Sequence, residues 1–547
     1  IGRLIEQPMQ ITHEQLLEVV LLKLREETIK FNKKRVRQDQ TQLKELNETL
    51  NELSNAEEFD HDQMRMVESH IRGIQDDNYK EYLMRRQDFQ LIEDERPSAA
   101  FLKMESNRGY AEITRLRIKN KFHNKLLPES ANNIEYFVIT EQSLIRKEMA
   151  NAFQLIYNKQ DNLDNTEEGI KDFLNSDGDW APYQELQNRK ISKAMSDSLE
   201  GLLREDELTS CLFQKMKGSS SPGIDGFTVN HLRVFWYDMK DITRMALNQS
   251  FGKDLSYSLK TAIIRLLRKG KKDPTLTGNY RPISLLSIFY KLASCVITQR
   301  MKPAVEFIVG RQQKAYISGN NIGSCIINLI NMITHCNKTR TSALILLIDF
   351  KKAFDSIDQT FMQSCLRMLG FGPDMQEWIR LFFTGREAHI LLGGHLTDKI
   401  NLEQGVPQGD VISPYVFILM VEILLIKINY TKNIEGIKFA LKEGRSETFA
   451  DDTTIYMKRT AHNLRTSVRY IEHFAKVSGL QCNIDKTVVC PIGTDFDVTN
   501  RFCPELPLLK WEPKFTILGF EIDQKLEMIN GNYDLVHEKV ENLISKW

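Results

Sequence analysis

The sequence predicts an α+β fold behind a helical N-terminal arm, and three observations carry that reading. Apolar residues recur at helical spacing through residues 1–96. From residue 209 onward, short β-branched runs alternate with amphipathic helical patterns. Within that region a six-residue apolar run, Ala343 to Ile348, ends abruptly at Asp349. The chain has 547 residues, 41% hydrophobic and 27% charged. That apolar share supports packed cores and excludes wholesale disorder. At ~150 residues per folding unit, three or four units are expected.

In the arm, Leu22, Ile29, Val36, Leu43 and Leu50 recur every seven positions, and Leu46 and Leu53 add a second seam position. This is a coiled-coil-like stripe. Ser54 to Asp60 interrupts it, and Met64, Val67, Ile71 and Ile74 begin another. Two antiparallel helices, or helices packed on a partner, fit the pattern, and a structural arm suits it better than a catalytic one. Pro97 closes the arm and opens a basic segment to Lys125, so residues 97–208 read as a basic linker followed by an acidic, mostly helical region. Residues 209–523 read as the mixed domain, with its core at about 249–523. Residues 524–547 begin a further helical pattern. With no initiator Met and an end inside that pattern, the chain reads as a piece of something longer.

The net charge is zero, 73 basic against 73 acidic side chains, but the signs are segregated. Residues 215–314 carry 18 Lys/Arg against 6 Asp/Glu, and residues 97–128 carry 7 against 2. Residues 129–214 carry 8 against 17. A basic block of this size draws polyanions, although a solvated basic face gives the same count. The eight cysteines are scattered with no CxxC spacing, which argues against a zinc ribbon or disulfide scaffold and for reduced thiols in an intracellular compartment. No charged-then-apolar leader opens the chain. The longest apolar stretch, Val411 to Ile426, contains Ser413, Pro414 and Glu422. It is shorter than the ~20 residues of a spanning helix, so no membrane association is expected.

The chemistry concentrates in three segments. Asp349 stands where the buried strand Ala343–Ile348 emerges, and a carboxylate there costs solvation energy unless it is paired or holds a metal. It could cap the helical pattern that follows (Phe361, Cys365, Met368), but Asp355 or Asp358 suits that role better and leaves Asp349 for chemistry. In Thr448 to Tyr456, Asp451 and Asp452 lie between short β-branched and aromatic runs, which predicts a hairpin with the acids at its tip. An Asp-Asp turn usually means nothing. Combined with Asp349 it suggests strand-end carboxylates that hold Mg²⁺ with substrate phosphates and water. Between these segments, Gln404 to Tyr415 has two glycines and two prolines before a long apolar helix. It predicts a tight, exposed loop that a backbone or base could approach closely.

Together these segments, IDFKKAFD, GVPQGDVISP and FADD, resemble the palm motifs of reverse transcriptases of non-LTR (LINE-type) retrotransposons. Further motifs follow in the family's order. SPGIDG (Ser221 to Gly226) resembles the loop upstream of the fingers, GNYRPISLL (Gly278 to Leu286) the basic fingers segment and GRQQKAYISG (Gly310 to Gly319) the next block. NIDKT (Asn483 to Thr487) resembles the lysine motif after the palm, and ILGFEI (Ile517 to Ile522) the primer grip. The resemblance covers residues 185–547, and weakly 97–180, where PSAAFLKMESNRG is similar to a pre-polymerase linker.

The resemblance implies right-hand polymerase fingers and palm, an N-terminal helical extension and an incomplete thumb at residues 524–547. The implied function is RNA-directed DNA synthesis by two-metal nucleotidyl transfer. Asp349, Asp451 and the Phe350 carbonyl are similar to the ligands of two Mg²⁺ ions, with Mn²⁺ a possible substitute. Asp452 resembles the supporting acid and Lys486 a general acid toward pyrophosphate, against the plainer reading of a helix-end lysine. Lys269 and Arg281 match residues that grip the incoming triphosphate, where developing charge needs neutralising. Gln408 and Gly409 match the loop beneath nucleotide and template. Phe354 matches the steric gate below the sugar, although a core phenylalanine is commoner by residue type. Leu518 and Gly519 match the primer grip. Expected partners are an RNA template, a DNA primer or target and dNTPs, in a ribonucleoprotein of nucleus and cytoplasm.

Some positions depart from the pattern. Ser220 stands where relatives often carry lysine before Ser-Pro-Gly, which puts one backbone contact in doubt. Neither the endonuclease nor the Cys/His-rich segment of full-length elements is expected here. A catalytically inactive RNA-binding relic with the same fold is the alternative from another class. An intron maturase is a third reading, opposed by the helical arm.

Overall fold

A strand with apolar residues on both faces belongs in the middle of a covered sheet, and Ala343–Ile348 lies there. In the computed structural model it is the third of five strands, in the order Ser446–Phe449, Asp452–Lys458, Ala343–Ile348, Val488–Ile492, Lys510–Trp511. All neighbours are antiparallel except the last pair. Ala343 and Ile345 pack with Ile326, Leu329, Ile333 and Cys336 of the helix Ile322–Thr339 on one face. Their alternates Leu344, Leu346 and Ile348 are buried on the other.

The structure describes residues 12–54, 62–73, 113–119 and 136–527, apart from 271, 440, 441, 495, 500 and 502, with the isolated positions 531, 537 and 541. Two compact units emerge, each discontinuous in sequence. The first comprises Ile1–Glu148, Leu203–Ala293 and His389–Thr397, and the second Met149–Leu202, Ser294–Ala388 and Asp398–Trp547. The five-stranded sheet belongs to the second.

In the first unit, the helix His13–Ser54 packs by Leu17, Val20 and Leu21 on the helix Trp236–Gln249. The expected seam is only partly covered. Leu43, Leu46, Leu50 and Leu53 are half-buried, but Leu22 and Ile29 are 60% and 45% exposed, because the partner helix meets the adjacent stripe. The side chain of Val36, along with Ile74, Pro97, the linker motif and most of residues 524–547, lies outside the described residues. Thr261–Arg268 and Tyr280–Leu285 form an antiparallel hairpin. The Ser221–Gly226 loop is pinned beside it. Asp225 accepts from Ser287 Oγ at 2.5 Å, and a Cβ on Gly223 would stand 2.4 Å from the Leu286 carbonyl carbon. Lys291 Nζ donates to Ser220 Oγ and to the Ser221 carbonyl, which ties the start of the loop to the helix that follows the hairpin.

In the second unit, Ser413–Tyr430 is long and apolar enough to cross a membrane by length and composition, but 78% of it is buried within the protein. It is a core helix that lies against the strand Ser446–Phe449, and Ala461–Ser478 lies against Asp452–Lys458. Thr460 caps the start of Ala461–Ser478, and Gly479, at φ 78°, ends it in the left-handed conformation that glycine tolerates. All eight cysteines are free thiols.

Two ionisable side chains, Glu422 and Lys427, are buried in the core helix. Glu422 is 1% exposed, pairs with Arg189 at 2.5 Å and accepts from the Gly310 amide at 3.1 Å. Burial pushes its carboxyl up to about 7 against the opposing pull of Arg189. Removing one partner of such a pair strands the other, at about 3–5 kcal/mol. Arg189→Leu should therefore destabilise the chain by roughly that amount in urea titrations at pH 8, and by less at pH 5, where the stranded carboxyl takes up a proton. Equal losses at both pH values would show that the charge is not what matters.

Candidate active site

Asp349 is fixed by chain continuity with the central strand. Its carbonyl accepts from the Asn483 amide at 2.7 Å, and its Oδ2 accepts from Asn483 Nδ2 at 3.0 Å and Lys486 Nζ at 3.4 Å. Lys486 sits in the short 3-10 turn Ile484–Lys486 rather than at the end of an α-helix. Phe350 bridges Cys482, and the flanking bonds run from Asn483 N to Asp349 O and from Lys351 N to Gln481 O. In that pattern the bridged residue's own N–H and C=O point away from its partner. The Phe350 carbonyl therefore faces the side on which the acid hairpin lies.

That hairpin joins Ser446–Phe449 to Asp452–Lys458 through a two-residue turn, Ala450-Asp451, with Phe449 paired to Asp452. Ala450 has φ 58°, a conformation that costs an L-residue about 1–2 kcal/mol. Thr453 pairs with Ile348, so Asp452 follows in register opposite Asp349. Opposite residues of an antiparallel pair share a face. The ladder thus sets the two carboxylates together, with Asp451 beside them in the turn.

The electrostatics report this crowding. The Asp452 carboxyl is pushed up to about 6 by burial, then by the charges of Asp451 and Asp349. Its open side toward solvent limits what burial contributes, which leaves the two like charges as the persistent cause. Such a cluster is a site for cations, and the Lys486 ammonium already stands against Asp349. Among the described residues, no three His, Cys, Asp or Glu side chains close on one point as a finished metal cage. The acids fit a Mg²⁺-type ion that takes one or two carboxylates and leaves its other positions to phosphate and water.

Gln404 to Gly409 departs from its expected exposure. Gln404 to Pro407 and Asp410 are buried, while Gln408, Gly409 and Val411 reach the surface. The segment is strapped to the turn after Asp349: Val406 N donates to Phe354 O at 2.7 Å and Gly405 N to Ile357 O at 2.8 Å. A Cβ on Gly405 would stand 2.6 Å from the Asp355 carbonyl oxygen. Gln408 Nε2 donates to Asp355 Oδ2 at 3.0 Å, and Tyr157 OH donates to the other oxygen at 3.0 Å. Asp355 is thus an orienting group, and Asp358 is the cap of the next helix, accepting from Phe361 N at 2.7 Å. Phe354 is half-buried, stacked on Phe417 with ring centroids 4.3 Å apart.

Leu518 (φ 50°) and Gly519 (φ 83°) form the two-residue turn of the hairpin Lys514–Ile517/Phe520–Asp523. Lys269 and Arg281 belong to the first unit's hairpin, where the Lys269 amide donates to Asn279 O and Lys269 Nζ to Gly278 O. Asn483, Tyr157 and Gln313 are site neighbours that sequence reasoning missed. Asn483 lies three residues before the lysine of its own motif and Gln313 inside the quoted segment Gly310 to Gly319, so both had a signal available; Tyr157 gives none.

Residues 269–522 match the family model for the reverse transcriptase (RNA-dependent DNA polymerase). A transposon TX1 uncharacterized 149 kDa protein from Xenopus laevis is 26% identical over 65% of this chain and 27% of its own length. The Pol polyprotein of a type-1 retrotransposable element R2 from Popillia japonica is 26% identical over 49% of this chain and 37% of its own. The RNA-directed DNA polymerase of mobile element jockey from Drosophila melanogaster is 23% identical over 49% and 29%. This chain therefore spans well under half the length of these curated relatives. The mixed helix-and-sheet fold and the acid cluster are compatible with a domain of that family. Residues 269–522 are similar to the reverse transcriptase domain, and two of these relatives carry names of retrotransposable or mobile elements.

The raised Asp452 carboxyl gives a test of the crowding. A folded-state value near 6, above the ordinary 3.8, means stability is lost as pH rises through that interval and stays lost above it. In EDTA, Asp452→Asn should raise the apparent Tm by about 1–2 °C at pH 7.5 and leave it unchanged at pH 3.5. A variant less stable than the parent at pH 7.5 would mean that the carboxylate is held by favourable partners.

Proposed function

We propose that this chain copies an RNA template into DNA, extending a DNA primer's 3′ hydroxyl with dNTPs. The observation that carries the reading is the register-set meeting of Asp349 with Asp451 and Asp452. On this reading the second unit supplies the palm and the first unit's hairpin the fingers. The helix His13–Ser54 is an N-terminal extension, and residues 524–547 begin a thumb. Two Mg²⁺ ions, or Mn²⁺ in their place, would activate the primer hydroxyl and neutralise charge on the triphosphate. Asp349, Asp451 and the Phe350 carbonyl would hold them, with Asp452 in support.

The chain's own groups do the rest. Lys486, on the Asp349 side of the cluster, would hand a proton to the leaving pyrophosphate. Lys269 and Arg281 would bind the triphosphate. Gln408, its amide fixed by Asp355, would support the nucleotide with Gly409, and the Leu518-Gly519 turn would bear on the primer. The eight free thiols suit a reducing compartment, in keeping with a ribonucleoprotein of cytoplasm and nucleus.

Primer extension on poly(rA)/oligo(dT), with Mg²⁺ and with EDTA, tests the reading against an inactive RNA-binding relic. Asp451→Asn keeps shape and removes charge, so incorporation should fall by about 10²-fold or more while filter-bound RNA stays within a few-fold. Comparable incorporation by variant and parent would sink the assignment.

Phe354 makes a second prediction. Its ring is braced by Phe417 yet half-exposed, which suits a rigid wall that excludes a 2′ hydroxyl. Phe354→Ala should raise the kcat/KM ratio of UTP to dTTP by about 10-fold or more. Stability should fall by less than the ~3–5 kcal/mol of a fully buried Phe→Ala change. An unchanged ratio with a large stability loss would return Phe354 to the core.

A further inference from the structure

We propose that Gln313 is a positioning residue for Asp451, holding the acid turn in place through its side-chain oxygen. The inference rests on the polymerase reading for its kinetic consequence and on geometry alone for its structural one.

Gln313 is fully buried. Its Oε1 accepts from two backbone amides, Ala315 N at 2.9 Å and Ala450 N at 3.0 Å. Two N–H donors on one terminal atom identify that atom as the oxygen, so the side-chain orientation is not arbitrary. The opposite consequence follows for Nε2, which is buried with no hydrogen-bond partner among the described residues. A side chain that leaves one donor unpaired in order to place its acceptor is held there by what the acceptor does.

What it does is brace a strained residue. Ala450 is the first of the two turn residues, at φ 58°, and Asp451 is the second. The left-handed conformation is unfavourable for alanine, and strain of this kind persists only where the surroundings over-determine it. The rest of the Gln313 segment supplies the same service to the strand before the turn. Thr448 N donates to Gln312 O and Lys314 N to Thr448 O, each at 2.9 Å, so residues 312–314 bridge the edge of the sheet.

The brace has a fixed base. Gly310 N donates to the buried Glu422 carboxylate, and Arg189 Nη1 donates to the Ile308 carbonyl as well as to Glu422. Gln313 N closes a turn on Gly310 O at 3.1 Å. A continuous set of hydrogen bonds therefore runs from the buried ion pair through the loop to the amide next to Asp451. Gln313 touches no reacting atom in this arrangement; it acts through Ala450.

The test uses the full chain with three substitutions. Gln313→Leu removes the acceptor at similar volume, Gln313→Asn shortens its reach, and Gln313→Glu keeps an accepting oxygen and removes the unpaired donor. Amide exchange at Ala450, read by mass spectrometry, should quicken at least ~10-fold in the leucine and asparagine variants and stay slow in the glutamate variant. In primer extension, kcat should fall ~10–100-fold in the first two with KM for dTTP within about 3-fold, and should recover with glutamate. If leucine prevents folding, asparagine against glutamate makes the same comparison. Unchanged exchange and kcat on loss of the acceptor, or a glutamate variant as impaired as leucine, would overturn the proposal. A parent chain that incorporates nothing would instead sink the polymerase reading, and the exchange comparison would still decide Gln313.

Discussion

The site depends on carboxylates being held together against their own repulsion. Isolated in solution, Asp349, Asp451 and Asp452 would move apart. In the fold they cannot, because the ladder that pairs Thr453 with Ile348 continues to the very residues that repel. The opposing force comes from the apolar strand between the two covering layers. Its burial on both faces holds the strand in the sheet, and a slip that drew Asp349 between the covering layers would cost the carboxylate its solvation. The apolar run and the acid at its end are therefore two parts of one device: the first sets the position, the second has a position to occupy. The raised Asp452 carboxyl is the residual of that contest.

Backbone strain marks three of the turns that carry candidate functional groups. Lys352, three residues after Asp349, has φ 49°, Ala450 has φ 58° and Leu518 has φ 50°. None is glycine, and each sits where the chain turns sharply beside a candidate functional group. Conformations of this kind cost of order 1–3 kcal/mol each and survive where surrounding structure leaves no alternative. Gln313 supplies that constraint at Ala450. At Lys352, the Lys351 amide bonded to Gln481 O and the Asp355 amide bonded to Lys352 O do so. At Leu518 the short hairpin demands it, since a two-residue turn with positive φ at both positions matches the twist of its strands.

What could be read from the sequence follows the range of the interactions involved. The strand ending in Asp349, the hairpin at 448–456 and the buried helix from Ser413 are written in local pattern. The distribution of burial in the arm was less legible. A seven-residue repeat shows which positions align but not which stripe a neighbouring helix will cover, and here Leu17, Val20 and Leu21 are taken instead of Leu22 and Ile29. Tyr157 could not be foreseen as a partner of Asp355, because the two are 198 residues apart and a lone tyrosine on an amphipathic helix announces nothing. Gln313 lies in a motif that the sequence marks, but its bond to Ala450, 137 residues away, is not written in that motif.

The loop after Glu403 shows why composition misled where it did. Glycine and proline usually mark chain that runs over a surface, and two of each within a few residues read as an exposed turn. Here the glycine is required for the opposite reason. Gly405 adopts φ 78° and lies so close to the Asp355 backbone that a side chain has no room. Close approach allows Val406 to bond Phe354 and Gly405 to bond Ile357, which satisfies these two amides although they are buried. The surface that remains, Gln408 and Gly409, is then carried on the same rigid turn as Phe354. Asp355 completes the connection by holding Gln408 from beneath. Phe354 and Gln408 are thus tied to one short stretch of chain, and their spacing is set by backbone hydrogen bonds rather than by the mobility of a loop.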